Sequence, residues 1–199
     1  MFTPSPTSGA FHQGEILSDV IQVQIDVENL NSQSEEIELD ERIHPQAIIL
    51  TQDCDLDKDF KAREQKEIGN TLQFKSVPNV LLCELIPSDT LRGQMRQTGG
   101  GGSKEWTRII ENREFRYHSF PAVLPKDDRV EEGLPALVAD FKRVFTVPTE
   151  ELYLRVQQTT RRRSFLNDLF VQDLGCRFGY YCLRVALPEM LISTPDAPP

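Results

Sequence analysis

The chain has 199 residues, 39% of them hydrophobic and 27% charged, with a formal net charge of −9. That length suits one domain with a core and is short for two. No apolar run approaches the roughly 18 residues that cross a bilayer, and residues 1–13 lack the basic start and apolar stretch of a secretory signal. A cytoplasmic protein with no membrane contact is therefore expected. Thirteen acids fall in residues 1–60 against only Arg42 and Lys58. Such a surface repels a nucleic-acid backbone and suits a basic protein partner.

Residues 1–13, rich in Pro, Ser, Thr and Gly, read as a frayed lead-in. In residues 14–25, Ile21, Val23 and Ile25 alternate with polar side chains, as in a half-buried strand. Residues 29–41 are polar and acidic, a loop or short hairpin excursion. Ala47-Ile48-Ile49-Leu50 then reads as a buried strand, opened by Pro45 and ending in an acidic tip at Asp53, Cys54, Asp55 and Asp57. Residues 55–70 are charged and poorly periodic, closing on the turn signal Gly69-Asn70. Residues 79–87 form the next buried strand, after which Ser88 is placed to cap a helix through Leu91 and Met95. Gly99-Gly100-Gly101-Gly102-Ser103 has linker composition.

Trp106, Ile109 and Ile110 share one face of a predicted helix over 104–111. Residues 115–120 alternate as a strand, prolines 121, 125 and 135 bound a loop, and residues 136–147 give the longest strand signal, as one strand or two with a bend. Thr149 is placed to cap a helix start. From about Arg161 to Val185 apolar residues recur at steps of three and four, predicting a long amphipathic helix opened by Arg161, Arg162 and Arg163. Three cations at the positive end of a helix dipole are unfavourable for the helix itself. They suit an acidic partner, a phosphate or the chain's own acidic third. The chain thus divides into a lead-in over 1–13, one domain over 14–187 and a Pro-rich tail over 188–199.

Asp53, Asp55, Asp57, Asp59 and Glu64 fit positions 1, 3, 5, 7 and 12 of a calcium loop, but Lys58 stands where the turn needs glycine. A solvated acidic loop is the preferred reading. Cys54 with His118 as its base is a nucleophile candidate, although two flanking carboxylates disfavour the thiolate; the competing reading turns Cys54 into the core. Zinc held by Cys54, His44 or His118 and a carboxylate has no ligand-spacing signature. Phosphate-loop, dinucleotide, nucleophile-elbow and metalloprotease motifs are all missing from the sequence. Neither a metal nor a cofactor is expected.

Taken in order, Gly14-Glu15-Ile16 resembles the opening of the PemK/MazF-like toxin family, and His44-Pro45 through Asp53 its second signature. Residues 79–87, 115–124 and 136–152 resemble its later strands, the last around Asp140-Phe141-Lys142-Arg143. The resemblance covers about residues 14–155. It implies an α+β, mainly β, fold: a small, strongly bent SH3-like β-barrel with inserted helices and a long C-terminal amphipathic helix. The family's ribonucleases use an arginine where the strand opens and a Ser or Thr on the third strand. Here His44 precedes Pro45, with Arg42 two residues earlier, and Ile86-Pro87-Ser88 stands at the second place. The displaced arginine, the acidic first third and the long C-terminal helix together point to a non-catalytic protein that binds another protein, in a bacterial toxin–antitoxin or phage-defence setting. Its alternative is an endoribonuclease cleaving single-stranded RNA, with Arg42, His44, Arg116 and His118 moving protons and stabilising phosphate.

Overall fold

The computed structural model describes residues 1–25, 39–66 and 69–183. The long apolar runs become strands β2 (Glu15–Ile25), β3 (Leu39–Ile49), β4 (Asn79–Pro87) and β6 (Leu137–Pro148). Three shorter strands join them: β1 (Phe2–Pro4), β5 (Tyr117–Phe120) and β7 (Arg161–Leu166). All pair antiparallel in one seven-stranded sheet ordered β1-β7-β2-β3-β4-β6-β5. Among the described residues the helices are α1 (Asp53–Glu64), α2 (Asn70–Lys75), α3 (Ser88–Gln97), α4 (Ser103–Ile110), α5 (Thr149–Arg155) and α6 (Asp168–Cys182). The α+β, mainly β, class is as expected, but the sheet is not closed. A barrel requires the last strand to pair with the first, and here β1 and β5 remain two separate, short edges.

Successive strand residues point to opposite faces, so Ile16 and Leu17, Ile48 and Ile49, or Leu82 and Cys83 enter different cores. On one face Ile16, Ile48, Cys83, Leu85, Ala139 and Phe141 pack with Leu174 of α6. On the other, Leu17, Ala47, Ile49, Leu82 and Phe145 pack with Phe11, Leu56 of α1 and Leu152 of α5. Further along that face Ile86 and Val138 meet Leu91 of α3 and Trp106 and Ile109 of α4. Each such Leu or Ile, fully buried, contributes about 1.5–3 kcal/mol of transfer free energy.

The outer halves of β2 and β3 leave this sheet. Strand β7 pairs with β2 only up to Ser18, and β4 pairs with β3 only from Ala47 onward. Val20–Ile25 and Leu39–His44 therefore pair with each other alone among the described residues. Asp19, at φ 58°, marks where the hairpin turns, and the His44 ring then lies flat on Phe145 with centroids 3.7 Å apart. Val23 and Ile25, expected to be half-buried, are 37% and 51% exposed toward the outer end of the arm.

Other expectations are corrected. The acidic run forms helix α1 instead of a loop: Asp53 and Asp55 favour its N-terminal dipole. Asp57–Lys61 at 2.6 Å and Asp59–Arg63 at 2.8 Å pair one turn apart. Gly69 does sit in a turn, at φ 65°, and α2 starts directly after it at Asn70. Neither Ser88 nor Thr149 caps its helix with its side chain; the Thr149 hydroxyl donates to the Val77 carbonyl instead. The lead-in supplies strand β1 and the core residue Phe11. Gly99–Ser103 is a tight α3–α4 connection, where a Cβ on Gly101 would come within 2.9 Å of Met95 Cβ. The predicted 161–185 helix is a strand followed by the fifteen-residue α6, while the 188–199 tail lies outside the described residues.

Arg161–Leu166 is a strand because its arginines find acids across the sheet. Arg162 lies against Glu15, Nε to Oε1 at 2.6 Å and Nη2 to Oε2 at 2.8 Å, and also donates to the carbonyls of Gly9 and Ala10. Arg163 forms the same fork on Asp128 at 2.9 and 2.6 Å. Burial pushes the Asp128 carboxyl up, yet the Arg163 bonds more than offset it and hold it below its ordinary value. Removing one partner of such a pair strands a buried charge, at about 3–5 kcal/mol. Glu15→Ala is therefore expected to lower the unfolding free energy by about that amount in urea denaturation. Glu15→Leu combined with Arg162→Met should recover most of it.

Candidate functional site

Two acids interrupt otherwise apolar strands. Glu84 falls between Leu82 and Ile86 on β4, and Asp140 between Ala139 and Phe141 on β6. A carboxylate in such a strand needs a cation, and the neighbouring strands supply several. Arg42 of β3 lies 3.6 Å from Glu84, and Arg143 of β6 lies 3.5 Å from the same oxygen. Arg143 also reaches Asp140 at 3.7 Å, and Asp140 holds Arg116 in a fork at 2.7 and 2.6 Å. The result is a row of alternating charge, Arg42–Glu84–Arg143–Asp140–Arg116, crossing the sheet. Strand alternation puts Glu84 on the face shared by Leu82 and Ile86, so the row runs between the α1/α5 core and the α3/α4 core.

Where the arm bends over this row it leaves a groove of about 280 Å³. Its lining is Gln22, Gln24, Arg42, His44, Glu84, Lys142, Arg143, Val144 and Phe145. His44 is 3% exposed, and burial, with Arg42 nearby, holds its pKa below the ordinary value. Gln22 Oε1 accepts the Gln24 side-chain amide at 2.9 Å and lies 3.2 Å from His44 Nε2. Because that oxygen accepts, Nε2 is assigned as the protonated nitrogen. Nδ1 is then an acceptor, buried and without a partner.

Arg42 and His44 are thus brought together, and Arg116 lies at the far end of the same charge row. His118 is not with them. It faces α6, its ring 4.5 Å from Phe120 and its Nδ1 4.0 Å from Asp173. Burial, reinforced by Arg177, pushes its pKa down to about 3. Nor does it meet Cys54, which is exposed on the first turn of α1 with Gln52 and Asp55 as its neighbours. Cys54 is therefore not turned into the core.

The acidic tip serves the fold. Asp53 accepts the Gln13 backbone N–H at 2.7 Å, and its bond to His12 raises the imidazole pKa. Asp55 and Asp57 pair with Lys58 and Lys61 along the helix. A helix turns the five calcium-frame acids to different sides. Among the described residues no group of three or more His, Cys, Asp or Glu converges as a metal ion requires. The predicted basic patch is likewise dispersed: Arg162 and Arg163 are buried, and Arg161 alone is exposed, 3.8 Å from both Asp19 and Glu132. A wider cleft of about 980 Å³ beside Arg161 is walled by Phe60, Tyr153 and Val156.

Sequence reasoning missed Glu84, Asp140, Lys142 and Arg143. The legible signal was a lone acid inside an apolar run, which demands a partner even when that partner is not local. The chain was compared with protein-family models, curated proteins and solved structures, and it matches none of them.

The buried, neutral His118 has a consequence for stability. Its folded pKa lies near 3 and its unfolded value near 6.5. Only the unfolded chain takes up the proton between those values, so stability falls as pH drops through that window, by up to about 1.4 kcal/mol per unit. Urea unfolding at pH 7 and pH 5 should show a loss about 2 kcal/mol smaller in His118→Phe than in the wild type. Equal losses would mean His118 is protonated in the folded protein.

Proposed function

We propose that the protein is a non-catalytic, cytoplasmic binding component whose partner is another protein with a basic surface. The observation that carries this reading is the β2–β3 arm. Its strands have open edges on both sides among the described residues. Leu39 and Ile43 are 65% and 60% exposed, with Val23 and Ile25 also bare. Open strand edges bearing apolar side chains are where a second chain adds. Asp40 lies on the same arm and supplies an acidic complement for a basic partner, while its neighbour Glu41 is held by Arg155 at 3.1 Å. The bent hairpin also supports reading the sheet as an opened form of the SH3-like barrel that the PemK/MazF-like resemblance implies, and with it a toxin–antitoxin or phage-defence role.

The side chains that catalysis would need are not gathered in one place. Arg42 lies in the groove, Arg116 is held by Asp140 at the far end of the charge row, and His118 is buried as a neutral ring on the other face. Co-purification of the tagged full chain from its native cells should retain a partner in stoichiometric amount, and Ile43→Asp should release it. A monomer purified with no such partner would count against the reading.

One observation favours the endoribonuclease alternative: Arg42, His44, Lys142 and Arg143 line a single groove, cations beside a neutral imidazole. Incubation with unstructured RNA decides between the two. The binding reading expects no cleavage above background and no difference in Arg42→Ala or His118→Ala. Cleavage that disappears in Arg42→Ala would establish the enzyme.

A further inference from the structure

We infer that the groove under the β2–β3 arm is a binding site for a phosphate monoester. Its lining carries three cations, Arg42, Lys142 and Arg143, and a single carboxylate, Glu84. Both guanidinium contacts to Glu84 are long, at 3.6 and 3.5 Å, so they are ion pairs without short hydrogen bonds, and their N–H donors remain available. Among the described residues Lys142 has no ion-pair partner, and Asp140 is held by its fork to Arg116. Arg143 also lies 3.7 Å from Asp140, and among the described residues two positive charges are left over. A phosphate monoester, close to dianionic at neutral pH, matches that balance, where one carboxylate or one phosphodiester would leave a charge uncompensated.

The geometry supports the same class of ligand. Guanidinium groups offer paired donors suited to a phosphate's oxygens, and lysine adds a point charge. The three cations come from two strands that face each other across the groove, Arg42 on β3 and Lys142 and Arg143 on β6. The arm is held over β6 by the flat His44–Phe145 stack. Arg42, Lys142 and Arg143 are all exposed to an arriving ligand. His44 lines the groove as a buried ring, its pKa held below the ordinary value by burial and by Arg42. At about 280 Å³ the groove holds a phosphorylated side chain or a small phosphate ester, not a length of RNA. The site rests on the groove's own charges; if the phosphate belongs to the protein partner, it names part of what that partner presents.

The test is a nuclear magnetic resonance titration of the full chain with inorganic phosphate, O-phosphoserine, a short phosphoserine peptide and a 5′-hydroxyl RNA oligonucleotide. Expected are saturable shifts at Arg42, His44 and residues 142–145 with both small phosphates. Affinity should fall about tenfold or more in Lys142→Ala and in Arg143→Ala, and stay unchanged in Lys126→Ala, which lies outside the groove. Lys142 is exposed, so its variant keeps the fold, and an unaltered amide spectrum checks that. A peptide binding tenfold tighter than O-phosphoserine assigns the phosphate to a protein partner; equal binding assigns it to a free ester. The inference is overturned by the absence of saturable shifts, by equal weakening in Lys126→Ala, or by tighter binding of the oligonucleotide. Any of those leaves the protein-binding reading standing, since that rests on the exposed arm.

Discussion

The pairing of Arg162 with Glu15 sits where strand β7, late in the chain, meets the first two strands. Strand β7, near the C-terminal end, inserts between β1 and β2 at the N-terminal end, and this side-chain fork crosses the seam. Burying a guanidinium and a carboxylate costs several kcal/mol each in lost hydration. Here the cost is offset because Arg162 also donates to Gly9 and Ala10 and lies over the Phe11 ring. The segment that would otherwise fray is thereby fixed, and Phe11 reaches the core. Next along β7, Arg163 fixes the 128–133 loop through Asp128 and the Gly133 carbonyl. Two consecutive arginines thus serve two different parts of the fold.

With that end of the sheet anchored, the free end of β2 and β3 can depart from it. Strand β4 pairs with only the last residues of β3, and the register of β4 on β6 shifts between Cys83 and Leu85. These two irregularities open a gap between the α1/α5 and α3/α4 packing regions. Glu84 and Asp140 lie in that gap, and the cations around them gather there, where no helix among the described residues covers the row. The groove and the exposed arm therefore share one origin: a hairpin longer than the sheet that supports it.

The positions of three core strands could be read from local pattern because residues 47–50, 79–87 and 136–147 are dense in Val, Ile and Leu and are bounded by proline or polar residues. Helix α4 was legible from Trp106 and Ile109 at helical spacing. Helix α1 was not, because its inward positions are Leu56, Asp59 and Ala62; a buried acid held by Arg63 and the Val77 amide leaves no apolar stripe to detect. The 161–166 strand was misread for the opposite reason. Phe165 and Leu166 happen to continue the three-and-four spacing of α6, and the arginines before them looked too polar to be buried. Of the site, Arg42 and His44 were named from the sequence, while Glu84, Lys142 and Arg143 were not.

The sequence by itself determined the mainly β character, the positions of the core strands, the excess of acid in the first third and the need of each lone acid for a partner. These are properties of neighbouring residues, and hydrophobic spacing and charge count express them directly. Only the tertiary structure decided that the sheet stays open, that Arg162 and Arg163 are buried rather than displayed, and that Arg42 meets Arg143 across a groove. Those outcomes depend on which strands pair and where pairing stops, and the contacts that settle them join residues as far apart as Glu15 and Arg162.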